Sequence, residues 1–247
     1  MRPDCDDNRT LPRNPSAPLL HTLSLRRLPR ALPTLARLAC AWLAALSLAI
    51  GAWDAQRMLA AAQRQGPQAL EGVQLLQPLL ARAIDMDDES RLAAINQFFN
   101  RRVLFAEDAE IWGEADHWAS PLETLEKGRG DCEDYAIAKY FSLLAVGMPA
   151  ARLRLVYVRA EIGGPGGPVQ AHMVLAYYAS PQAEPLILDN LIGEVRPASR
   201  RPDLTPVFSF NSEGLWQGVG QQSAGDPVAR LSRWREVLAK ARAEGFQ

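Results

Sequence analysis

The sequence is poor in cysteine and histidine, with three of each in 247 residues. Cysteines at 5, 40 and 132 give no pairing framework, so a disulfide scaffold is excluded. There is no excess of basic charge: 27 Lys and Arg stand against 28 Asp and Glu, a net charge of −1. Beyond residue 60 no basic run interleaves with aromatic residues, so no nucleic acid partner is expected. Long apolar runs are also missing. Leu38 to Ile50 (LACAWLAALSLAI) has the length of a signal-peptide core and is short for a membrane span, although a tilted span from Leu38 to Trp53 stays open. No internal repeat is visible. What remains is an ordinary globular composition, 48% apolar and 22% charged, enough for one domain behind a leader.

Arg26, Arg27, Arg30 and Arg37 precede the apolar run, as in an export signal. The small-residue sites at Ala49-Ile50-Gly51 and Ile50-Gly51-Ala52 are mediocre for cleavage, which leaves a retained inner-membrane anchor open. Residues 1–55 therefore read as an export signal or membrane anchor with a Pro- and Arg-rich, disordered leader, and 56–247 as one domain in the periplasm. Residues 1–55 hold seven arginines and four aspartates, so the remainder carries a net charge of −4. It also keeps a single cysteine, Cys132, and two histidines, His117 and His172. An exported chain with one thiol has no disulfide to make, and an unpaired cysteine there reads as a candidate reactive thiol.

Cys132 lies where a glycine loop, Gly128-Arg129-Gly130-Asp131, runs into a helix. Both glycines permit backbone angles that other residues resist. Ile137, Tyr140, Phe141 and Leu144 give that helix an apolar face, and Gly147 is a fitting stop. The positive end of a helix favours a thiolate, whereas a plain buried cysteine is the competing reading. Upstream, helical patterns cover 56–83, with a break at Gly66-Pro67, and a stripe of Leu92, Ile95, Phe98, Phe99 and Val103 behind an Asp87 or Asp88 cap. Residues 106–120 read as a loop. Ser120-Pro121-Leu122-Glu123 reads as a capping box with proline in the first turn.

After the Cys132 helix the period changes to two. Leu153–Arg159, Ala171–Tyr178 and Leu186–Asp189 read as strands, and Gly163–Pro168 as a hairpin loop or a flap. Residues 197–225 read as irregular, and Pro227–Ala243 as a closing helix. His172 starts the second strand and Asp189 ends the third, so antiparallel pairing can bring them together. A cysteine nucleophile needs a base and a group that orients the base, and Cys132, His172 and Asp189 supply that set. His117 is a second candidate base. Asp131, Glu133 and Asp134 oppose a thiolate. A hard cation, best calcium, would relieve them, and plain complement to the helix dipole is the alternative.

The segments Gly128–Tyr140, Ala171–Leu175 and Leu188-Asp189-Asn190-Leu191 resemble the bacterial transglutaminase-like cysteine proteinases, and among them the periplasmic adhesin proteases. Trp112-Gly113, His117–Pro121 and Ser209-Phe210-Asn211 resemble them too. The resemblance implies an α+β papain/transglutaminase-like fold in which the helix carrying Cys132 packs on an antiparallel sheet carrying His172 and Asp189. It implies Cys132 as nucleophile, His172 as general base and acid, and Asp189 as its orienter, with Ca2+ held by Asp131, Glu133 and Asp134. It further implies a large surface adhesin as substrate, cut near its N-terminus at a di-alanine site, with release from the outer membrane and biofilm dispersal. An inner-membrane cyclic-diguanylate receptor is the implied sequestering partner. Acyl transfer to an amine and a non-catalytic calcium-responsive binding module are the competing functions.

Overall fold

The computed structural model describes residues 53–246 except Pro165; the expectations for the export segment fall on 1–52, outside the described residues. Two helices open the chain, α1 (Ala55–Gln65) and α2 (Pro67–Ala83). Asp54 caps α1 by accepting from the Arg57 N–H at 2.9 Å. The break falls at Gly66-Pro67, where a Cβ on Gly66 would lie 2.2 Å from a Glu126 carboxylate oxygen. That carboxylate reaches over from another helix to accept from the Ala69 N–H at 2.7 Å, satisfying a free donor of α2. Asp87 caps α3 (Asp88–Arg102), whose Leu92, Ile95 and Phe99 are buried while Phe98 lies at the rim. A two-residue strand β1 (Leu104–Phe105) and a short helix α4 (Asp108–Ile111) follow; the stretch expected as loop is partly helical. The capping box is present at the start of α5 (Pro121–Lys127), and Gly128 closes that helix at φ 59°.

After β2 (Arg129–Gly130) comes α6 (Cys132–Ala145), the centre of the molecule. Every residue from Asp134 to Leu143 is buried, including Lys139 and Ser142. The one-sided apolar face expected from its sequence is therefore too narrow a description: helices, sheet and the C-terminal helix enclose it. Gly147 follows its last turn at φ 85° and donates to the Leu144 carbonyl.

The expected strands form β3 (Leu153–Glu161), β4 (Val169–Tyr177) and β5 (Leu186–Leu188). β3 and β4 pair from Leu153↔Tyr177 to Glu161↔Val169, so the glycine-proline segment closes a hairpin. β6 (Arg196–Pro197), β7 (Leu204–Phe210), β8 (Leu215–Gln217) and β9 (Ser223–Gly225) complete a seven-stranded antiparallel sheet in the order β6-β5-β4-β3-β7-β8-β9. The last three strands correct the expectation of irregular chain over 197–225. Pro206 masks β7 in the sequence, and the structure tolerates it beside a register shift between Tyr157 and Val158, where a bulge relaxes the ladder. The closing helix is likewise two pieces, α7 (Pro227–Arg230) and α8 (Ser232–Ala243), broken at Leu231.

The sheet packs one face on α6. Trp234 of α8 is fully buried there, edge-on to Tyr140 at 5.5 Å and to Phe210 at 5.2 Å, with its N–H donated to the Asn211 carbonyl. It joins the C-terminal helix to α6 and the sheet at once. Trp234→Ala is expected to lower unfolding free energy by about 3–5 kcal/mol, read as an earlier midpoint in urea. A midpoint within experimental error of the parent would refute this role. The two ends of the domain also meet: Trp53 bridges Phe246, and the Asp54 N–H donates to the Gly245 carbonyl at 2.8 Å.

Candidate active site

The loop before α6 is held from both sides. β1 and β2 pair in parallel, with the Leu104 N–H on the Gly128 carbonyl at 3.0 Å and the Ala106 N–H on the Gly130 carbonyl at 3.1 Å. Gly128 is left-handed as expected, but Gly130 is not at positive φ. Space explains it instead: a Cβ there would lie 2.8 Å from Asp134 Oδ2 and 2.9 Å from Asp134 Cβ. Asp131 is the N-cap of α6, with Asp134 completing a capping box. Cys132 is thus the first helical residue, and its backbone N–H belongs to the helix's free donors.

Cys132 and His172 line one cleft, together with Asp131, Glu133, Trp118 and Leu191. β4 continues past the end of its ladder with β5, which stops at Leu175↔Leu188. There the Met173 backbone N–H faces the thiol. His172 is buried, and its Nε2 lies 2.8 Å from Asp189 Oδ1, leaving Nδ1 free to act as a proton acceptor. The Leu191 N–H also bonds Asp189 Oδ1, at 3.1 Å, and Asn100 of α3 donates to the Asp189 backbone carbonyl at 2.7 Å. Burial works to raise the Asp189 carboxyl, but His172, the Leu191 N–H and Arg201 outweigh it and hold it down at about 2. His117 is not among the cleft-lining residues. It stacks on Trp112 at 4.0 Å and contacts Glu114 at 3.2 Å.

The thiol faces an acidic neighbourhood. Its Sγ lies 2.8 Å from Glu133 Oε2. Burial, then Glu133 and Asp131, push the thiol far above its ordinary range. Burial and the neighbouring Glu133 and Asp134 push Asp131 up to about 9. Glu133 and Asp134 are raised as well, chiefly by burial. The three expected ligands do not form one group. Asp108, Asp131 and Asp134 each offer a carboxylate oxygen within 4.8 Å of the others, and so do Asp108, Asp116 and Glu133. Asp108, shared by both groups, was not singled out in the sequence, although five acids between Glu107 and Asp116 were the available signal. Asp108 Oδ1 and Asp131 Oδ1 are buried and lack any hydrogen-bond partner among the described residues. Orphaned carboxylate oxygens crowded in this way suit a hard divalent cation.

A family model described as bacterial transglutaminase-like cysteine proteinase matches residues 78–221. Comparison with curated proteins finds no match. Among solved structures the chain is similar to Legionella pneumophila LapG in its EGTA-treated form, at 36% identity and TM-score 0.66, over 76% of this chain and 97% of that one. The calcium-bound form of the same Legionella protein aligns at 36% identity and TM-score 0.65, over 76% of this chain and 98% of that one. With the family model matching more than half its length and LapG so similar over three quarters of it, the chain belongs to the bacterial transglutaminase-like cysteine proteinases.

Proposed function

We propose that this chain is a calcium-dependent cysteine endopeptidase that cuts the N-terminal region of a large surface adhesin in the periplasm. The observation that carries the reading is the His172–Asp189 contact at 2.8 Å in the cleft that also holds Cys132 at a helix start. Held at Nε2 by Asp189, His172 takes the thiol proton on Nδ1. The thiolate attacks the scissile carbonyl, and the Cys132 backbone N–H donates to the developing oxyanion. The imidazolium then gives its proton to the leaving amine, and water activated by the same imidazole releases the acyl group. Trp118 lines the cleft against Phe210, whereas Trp112 stacks on His117, so Trp118 is the better placed to border the substrate.

Asp108, Asp131 and Asp134, with Asp116 and Glu133 adjoining, are the residues that would hold calcium. When bound, the ion supplies the positive charge that offsets the carboxylates around the thiol. The adhesin substrate, the di-alanine cut, export behind residues 1–55 and sequestration by an inner-membrane cyclic-diguanylate receptor rest on the family likeness. The test is incubation of the calcium-loaded protein with N-terminal segments of large adhesins, with and without a primary amine, and mass spectrometry of the products. Two fragments ending in a free carboxylate and a free amine are expected. Products carrying the added amine would favour acyl transfer. Intact segments retained in a stable complex would favour a binding module.

A further inference from the structure

The expected triad accounts for one oxygen of Asp189 and leaves the other to be explained. Oδ2 accepts from Arg201 Nη2 at 2.7 Å. Both side chains are almost completely buried, Arg201 to 2% exposure and Asp189 to none. The guanidinium is anchored in turn. Its Nε lies 3.0 Å from Asp203 Oδ1 and its Nη2 lies 2.7 Å from Asp203 Oδ2, while its backbone N–H donates to the Ala198 carbonyl at 2.9 Å. The result is an ordered line Asp203–Arg201–Asp189–His172. Lys139, buried on α6, feels the Asp189 charge, but burial pulls it down to about 7 and it has no hydrogen-bond partner among the described residues. It therefore does not orient the carboxylate.

We propose that Arg201 is a positioning residue of the active site, fixing Oδ2 of Asp189 so that Oδ1 stays turned to His172 Nε2. The inference rests on the Cys132–His172–Asp189 reading above. A carboxylate on a single-bonded stem rotates about its last torsion, and the bonds from His172 and the Leu191 N–H both fall on Oδ1, which leaves Oδ2 without an anchor of its own. A planar guanidinium clamped by Asp203 removes that freedom, because its donors are set in a rigid fork. His172 then keeps the tautomer with Nε2–H on Asp189, and Nδ1 stays available to the thiol. Arg201 touches neither substrate nor thiol in this scheme. It acts only through Asp189.

The experiment uses the full chain, calcium-loaded, with four variants: Arg201→Met, Arg201→Lys, Asp189→Ala and the Arg201→Met/Asp189→Ala pair. Arg201→Met should lower kcat by about tenfold to a hundredfold through misplacement of the base, with KM within about twofold. Arg201→Lys, which keeps the charge but not the fork, should fall between it and the parent. In the Asp189→Ala background the same Met replacement should change the residual rate by less than about twofold, since the residues act as one unit. In nitrogen-15 histidine spectra the His172 Nε2–H signal should move or vanish in Arg201→Met while the His117 signal stays in place. If the Met variant does not fold, the Lys variant carries the kinetic and spectroscopic arms. Parent kcat with an unmoved His172 signal would overturn the proposal. So would an equal fractional loss in both backgrounds, which marks a staple of the fold. An Asp189→Ala protein with full activity would overturn the triad itself, and the proposal with it.

Discussion

Cys132→Ala is expected to abolish cleavage and leave the melting curve of the domain in place. The thiol is the only nucleophile in the scheme, so the loss should be on the order of 10⁴-fold or more in kcat. His172→Ala should be equally inactive, and the pair no worse than either alone, because nucleophile and base act as a unit. Stability should hold for a structural reason. Cys132 is only partly buried, at the edge of the cleft, so truncating it opens no enclosed cavity. What the alanine gives up is one thiol hydrogen bond, donated to Glu133 Oε2 at a partly exposed site, so the cost to the fold is small. Single-turnover cleavage read beside a thermal melt decides the matter. Residual cleavage at parental rate would remove Cys132 from the chemistry, and collapse of the melt would make it a packing residue.

Chelation should lower the melting temperature, and lower it more at pH 8 than at pH 5. Without a cation, Asp108, Asp131, Glu133 and Asp134 all have folded-state values raised above the ordinary carboxylate range, burial being the first cause for each. The sign follows from proton uptake on folding. Stability is full below the unfolded value near pH 4 and drains as pH rises toward the folded value, about 9 for Asp131. Calcium reverses the trend, because its ligands must be ionised and protons compete with it. At a hundred times its dissociation constant, the ion should add about 2.7 kcal/mol. Magnesium should substitute poorly, since it demands a tighter octahedral shell. Melts across pH 5–9 in chelator, in calcium and in magnesium test all three statements. A melt indifferent to chelator and pH would reduce these acids to complements of a helix dipole.

The α+β class was legible because its signals are local. The Ser120 capping box, the left-handed Gly128 and the period-two runs of β3 and β4 each act within a few residues. Cys132 and His172 could be singled out because cysteine and histidine are so scarce, and Asp189 because it ends a strand that pairing brings beside the one His172 starts. Asp108 and Arg201 were not legible. Each is tied to partners elsewhere in the chain, Asp131 and Asp134 in one case and Asp189 in the other; the acids around Asp108 marked its segment but not which of them would meet the Cys132 loop, and nothing around Arg201 marked it. β7 was missed because residues 197–225 read as polar and irregular, while the partner that makes a strand of Leu204–Phe210 is β3, with a shift of register beside Pro206. The role of Gly130 was misread in kind, since crowding by Asp134 and not a special φ keeps a side chain away.

The bridge between Trp53 and Phe246, with the Asp54 N–H on the Gly245 carbonyl, makes the domain topologically close to a ring. Ends are ordinarily where a fold frays first. Here neither end peels off alone, because each is the other's hydrogen-bond partner and α1 leaves only when the segment after α8 lets go. Gln65 at the end of α1 repeats the arrangement, donating to Glu244 at 3.0 Å, while Glu244 also accepts from the Leu122 N–H at the start of α5. Opening of the paired segments at Trp53-Asp54 and Gly245-Phe246 is therefore a single cooperative event felt at the first turn of α5, the helix whose exit at Gly128 leads into the Cys132 loop. Amide exchange should register Asp54 and Phe246 at one common rate.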